Sequence, residues 1–146
     1  MNRRILVVVI LVAAMLTGGL SVAGATEITV YKSATCGCCK KWVEHLRANS
    51  FAVKALDVAD MTPYKNRYGI TPALASCHTA VVDGYAIEGH VPAADIKRLL
   101  KERPAVRGLA VPGMPSGSPG MEQGYVEPYD VLSYDKAGKV SVYARY

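Results

Sequence analysis

The sequence predicts an α/β fold, a mixed sheet flanked by helices, on three observations. Short segments with period-two alternation recur along the chain, and segments with a 3.6-residue apolar period lie between them. A helix of about ten residues separates the first two strands, enough for the crossover that parallel strands need. Downstream, Asp83-Gly84 between two apolar runs marks a tight hairpin, so the sheet is mixed rather than all parallel.

The first 25 residues stand apart from that fold. Arg3 and Arg4 form a basic start, Ile5 to Leu16 an apolar run, and Ala23-Gly24-Ala25 a small-residue cleavage site, the order of a secretory signal peptide. The run is shorter than the ~20 residues that span a bilayer, which favours a cleaved signal over an anchor and makes the periplasm the expected compartment. The bare Arg3-Arg4 pair favours the general secretory route over the twin-arginine one. The remainder, 26–146, has 121 residues and suits one domain with its own core. Its formal charge is +3 once the two leader arginines leave the +5 of the whole chain. So weak and evenly spread a charge predicts no nucleic-acid binding, and nothing in 26–146 predicts membrane association.

Glu27–Lys32 (EITVYK) puts Ile28 and Val30 on one side and is the first strand, closed by a Ser33-Ala34-Thr35 turn. From Cys39 to Asn49 the period is helical, with Trp42, Val43 and Leu46 on one face and Lys40, Lys41, Glu44 and Arg47 around the other. Phe51–Val58 is the second strand, parallel to the first. A short helix follows, capped by Thr62, with Pro63 in its first position and Gly69 past its end. Ser76-Cys77-His78-Thr79 then leads into a strand at Ala80–Asp83, and the hairpin returns through Tyr85–Glu88. The next helix starts at Pro92, carries Asp95 in its first turn and faces the core with Ile96, Leu99 and Leu100. With the cysteines between first strand and first helix, this order is the plan of a thioredoxin-like fold. Gly108–Gly124 reads as a Gly/Pro-rich loop or lid. Tyr129–Tyr134 and Val140–Tyr146, joined by a turn at 135–138, read as an added C-terminal β-hairpin in which Val140, Val142 and Ala144 alternate.

All four cysteines fall in the exported part, where disulfides persist and two bridges are the ordinary expectation. Cys36-Gly37-Cys38-Cys39 is too crowded to staple distant segments and reads as a site. Cys36 and Cys39 have the C-x-x-C spacing of thiol redox pairs, with a helix start and Lys40 and Lys41 to lower a thiol pKa. Cys38 is surplus to dithiol exchange but useful to a metal, because thiolate and thioether ligands select soft ions: Cu(I), zinc or iron–sulfur, with copper first. The plainer alternative is a local Cys36–Cys39 or Cys36–Cys38 disulfide with no further role.

Cys77, in the loop facing the cluster, is the fourth ligand or a redox partner. His78 alternates to the other side of the strand and ranks below it. His90, at the end of the hairpin strand, and Met114, in a loop where a core role is less natural, are further metal-ligand candidates, with Met121 behind Met114. His45, two turns into the first helix, reads as a solvated surface histidine, and Met61 and the nine tyrosines as packing.

Four blocks carry a resemblance: TCGCCKKW at Thr35–Trp42, SCHTAVVDGY at Ser76–Tyr85, EGHVPA at Glu88–Ala93 and GLAVPGMPSGSPGME at Gly108–Glu122. In them the chain resembles the CopG-like family of small exported CxCC metal-binding, copper-resistance proteins. The resemblance implies a thioredoxin-like fold, export to the periplasm, copper tolerance and a multinuclear copper centre. By position it implies Cys36, Cys38, Cys39 and Cys77 as thiolates, completed by His90 and Met114.

The leading expectation is a copper-binding protein that holds Cu(I) in its cysteine cluster, interconverts Cu(I) and Cu(II), and works beside a copper exporter or another periplasmic copper protein. That would make it a copper oxidoreductase if the interconversion is catalysed. The competing readings are a thiol-disulfide oxidoreductase with Cys77 as resolving thiol, and a non-enzymatic copper or zinc carrier. Zinc ranks below copper because three near-adjacent cysteines suit a closed tetrahedral site poorly.

Overall fold

The computed structural model describes residues 24–146, so the expected leader, Gly24 and Ala25 apart, lies outside the described residues. The elements are β1 (Glu27–Lys32), α1 (Gly37–Ala48), β2 (Ala52–Asp57), α2 (Thr62–Tyr68), β3 (Thr79–Val82), β4 (Tyr85–Glu88), α3 (Ala93–Glu102), β5 (Gly108–Ala110), β6 (Asp130–Tyr134) and β7 (Val140–Arg145). The strands form one seven-stranded sheet in the order β2-β1-β3-β4-β5-β6-β7. β1 with β2 and β4 with β5 are parallel and the other neighbours antiparallel, the mixed α/β arrangement that the pattern predicts. Among the described residues no helix is long and apolar enough to cross a membrane.

Side-chain alternation divides the core between two faces. Ile28, Val30, Ile87, Leu109 and Val111 point to one face, where they pack with Trp42, Val43 and Leu46 of α1 and Ile96 and Leu99 of α3. Ala86, Ala110 and Tyr134 point the other way and meet Ile70 and Leu74. The β3–β4 hairpin turns on Asp83 and Gly84, both at positive φ (47° and 84°), as a two-residue turn matched to strand twist requires.

The structure corrects several local expectations. α1 begins at Gly37, two residues before the apolar period becomes visible, so Cys38 and Cys39 lie in its first turn and Cys36 is the N-cap. Thr62 does not cap α2: Met61 is the N-cap residue, and the Asp60 Oδ1 accepts from the Thr62 N–H at 2.8 Å. Pro92 precedes α3 as its N-cap rather than opening it. Within the expected Gly/Pro loop lies β5, whose three residues are too few for alternation to register. Val140 and Val142 alternate as expected yet are 45% and 43% exposed, because β7 is the edge of the sheet.

This topology gathers one end of the sheet. The C-terminal ends of β1, β4 and β5 and the N-terminal end of β3 all point the same way, as the pairings Tyr31 to Thr79, Thr79 to Glu88 and Glu88 to Ala110 show. The cysteine turn, the Ser76–His78 segment, His90 and the loop carrying Met114 therefore converge.

Candidate metal centre

Cys36 sits in extended backbone, with φ −74° and ψ 100°, and its Sγ accepts from the Cys39 N–H at 3.3 Å, the role a serine or aspartate plays at other helix starts. That capping geometry folds three cysteines into one turn with their sulfurs at the positive end of the helix dipole. Cys77 arrives from the segment before β3. Its Sγ is 3.5 Å from that of Cys39 and 3.9 Å from that of Cys38, while Cys36 and Cys38 sulfurs are 3.4 Å apart. All four sulfurs lie within 4.8 Å of one another.

Cys36 and Cys39 are joined by a disulfide, so the site in this structure is one bridge and two free thiols, Cys38 and Cys77. Two bridges between distant segments are not made among the described residues. Burial, and next the neighbouring Cys38, push the Cys77 thiol up to about 12, although Ser76 opposes this. The thiol keeps its proton at neutral pH, and a cation bound there would have to displace it.

Two histidines border Cys77. The His90 Nδ1 donates to the Pro119 carbonyl at 2.8 Å, which leaves the Nε2 lone pair facing the Cys77 Sγ at 3.2 Å. Burial lowers the His90 pKa against the opposing Pro119 carbonyl and Glu122, so the ring is held neutral. His78 is also brought in, against the expectation from alternation. It is fully buried, lies tilted against Trp42 at a 4.3 Å centroid distance and 37° between planes, and its Nδ1 lies 3.3 Å from the Cys77 Sγ. Its Nε2 has no hydrogen-bond partner among the described residues, and burial holds its pKa well below the ordinary value. Cys77, His78 and His90 thus form a second group whose donors lie within 4.8 Å of one another.

The Gly/Pro loop covers the centre. Met114 is 51% exposed, and its Sδ is 4.0 Å from the Cys38 Sγ. Gly120, at φ +88°, lets the loop lie on the start of α1: a Cβ there would come within 2.9 Å of the Cys38 carbonyl and the Trp42 nitrogen. Met121 is buried, and its backbone ties its own loop together through Ser118 and Gly117. His45 is not a solvated residue: its Nε2 accepts from the Ala93 N–H at 3.1 Å.

Sequence patterns gave no role to Ser76, Thr79, Lys65 and Glu88, which form a largely buried polar network beside the Cys77 segment. One signal was present. A carboxylate ends the otherwise apolar-rich strand YAIE, where it is as fully buried as Ala86 and Ile87.

Cysteine sulfurs, a thioether and imidazoles brought together in this way are groups that would suit a soft cation. The family profile DUF411, described as a protein of unknown function, matches residues 74–121, the stretch that holds Cys77, both neighbouring histidines and the covering loop. No curated protein sequence matches the chain. Two solved structures, of copper resistance protein CopG in forms 1 and 2, are each 50% identical to it over 84% of this chain and 98% of theirs, with a TM-score of 0.80. At that identity and coverage, with the cysteine turn and its facing thiol in place, the chain belongs to the CopG family of copper resistance proteins.

Proposed function

We propose that the protein is an exported copper-resistance protein that binds Cu(I) in a multinuclear centre. Cys36, Cys38, Cys39 and Cys77 supply its thiolates, His90 and Met114 complete it, and His78 stands as a further donor. The observation that carries this reading is the convergence of four sulfurs within 4.8 Å of one another. Sulfurs so close can bridge ions: two electrons and two protons taken up by the Cys36–Cys39 disulfide give four thiols, and each becomes a thiolate ligand by releasing its proton to solvent as copper binds. Met114 favours copper over zinc, since a tetrahedral zinc site closed by four thiolates has no place for a thioether, whereas Cu(I) accepts one. The imidazoles of His90 and His78 suit Cu(II) as well, which supports interconversion of the two states at one place. The leader-like first 25 residues support export to the periplasm, where a copper exporter or another copper protein would be the exchange partner.

The test is to reduce the purified protein without oxygen, load it with Cu(I), and count bound copper per chain beside Cys77→Ser. More than one copper per chain, falling sharply in the variant, is expected. No retained copper, or a count indifferent to Cys77, would overturn the reading.

The Cys36–Cys39 disulfide, 3.5 Å from the Cys77 sulfur, favours a second reading as a thiol-disulfide oxidoreductase. It predicts metal-free turnover of a disulfide substrate. The raised pKa of Cys77 weighs against it, because the thiolate is the attacking species.

A further inference from the structure

Cys77 stands in a segment with no regular structure of its own, yet both ends of that segment are tied to one buried carboxylate. Glu88 is fully buried at the end of β4. Its Oε1 accepts from the Ser76 N–H at 2.7 Å and from the Lys65 ammonium, and its Oε2 accepts from the Thr79 hydroxyl at 2.6 Å. The same hydroxyl accepts from Lys65 Nζ at 3.3 Å. Every group of the network is thereby paired, which a buried ion pair requires if it is not to destabilise the fold.

Ser76 passes the constraint to the other side of the centre. Its hydroxyl donates to the Gly113 carbonyl, and the Gly113 N–H donates to the Ala75 carbonyl at 3.0 Å, directly before Met114. Gly89, at φ +70°, permits this approach: a Cβ there would lie 2.6 Å from both Ser76 Cβ and the Val111 carbonyl.

We infer that Glu88 is a positioning residue of the copper centre: its carboxylate holds Ser76 and Thr79, and so sets where the Cys77 sulfur and the Met114 thioether stand relative to the cysteine turn. The inference rests on the assignment of Cys77 as a copper ligand. A carboxylate that only filled the core would act on stability alone. One that positions Cys77 acts selectively on that thiol.

The experiment compares wild type with Glu88→Gln, both shown to be folded by thermal melting. Two rates are read: alkylation of Cys77 against Cys38 by iodoacetamide in the reduced, copper-free protein, and transfer of bound Cu(I) to a chromophoric chelator. Glu88→Gln is expected to speed alkylation of Cys77 relative to Cys38 at least fivefold and copper release at least tenfold. An unchanged Cys77 to Cys38 ratio overturns the inference. So does a raised ratio with unchanged copper release, because the clamp would then not serve the metal. If the ratio rises but wild type retains no copper, the clamp on Cys77 stands and the copper assignment falls. Should Glu88→Gln fail to fold, Thr79→Val keeps the Lys65–Glu88 pair and removes only the two hydrogen bonds of the Thr79 hydroxyl, to Glu88 and from Lys65, and the same comparison is read for changes of at least twofold.

Discussion

His45 shows how much a single side chain can do that its own segment does not reveal. A helix start leaves backbone N–H groups without partners, and Pro92, the N-cap of α3, brings no side-chain acceptor. The Nε2 of His45, on α1, accepts one of those donors from Ala93. Burial lowers its pKa while Glu122 opposes, so the ring stays neutral and keeps its lone pair. His45→Ala should cost about 1 kcal/mol, the usual loss on removing a helix cap. Urea unfolding would register it, together with faster amide exchange in the first turn of α3. Its place in the helical period made His45 read as a solvated surface residue, whereas it is half-buried against the start of α3. Its partner lies 48 residues further on, and no local pattern carries that distance. His78 is the same lesson reversed: alternation assigns its side chain to the face opposite Cys77, but the ring lies with its Nδ1 3.3 Å from the sulfur.

Among elements, those with a strong period were legible and those defined by close approach were not. β1 and β4 coincide with their expected spans, and the C-terminal hairpin lies where its turn residues put it. The start of α1 was hidden because its first turn is glycine and cysteine, which carry little helical signal. β5 was hidden because contact rather than periodicity defines it. A Cβ on Gly108 would fall 2.0 Å from the Ala86 carbonyl, so only glycine allows β4 and β5 to pair there. Gly108→Ala should therefore destabilise the protein by about 3 kcal/mol, the upper range for forced overpacking. The paired loop carrying Met114 should loosen with it. An unfolding free energy, from the denaturant midpoint and slope, lowered by less than about 1 kcal/mol would show that the strands part at little cost. For the site, the cysteines were legible from spacing, and the carboxylate network beneath Cys77 was not, since three separate elements contribute to it.

For the whole molecule, the three histidines share one sign. Each has its pKa lowered in the fold, with burial the largest cause, from an ordinary value of 6.5. Above that value both folded and unfolded chains hold them neutral. Below it the unfolded chain takes up protons that the folded one refuses, so stability falls with pH. Glu88, raised by burial, opposes this at the acid end. The melting temperature of the copper-free protein should drop as pH falls from about 7.5 to about 5.5, with net proton uptake on unfolding. A flat profile would mean the rings are protonated in place. The cysteines divide unequally along the chain: three occupy positions 36 to 39, and the fourth lies 38 residues beyond Cys39. A newly made chain thus owns most of its sulfur grip before it has any shape. On the proposed function, ions caught early would tether that turn, closing the intervening loop at a modest entropic cost would complete their enclosure, and metal supply would thereby be linked to the order of maturation.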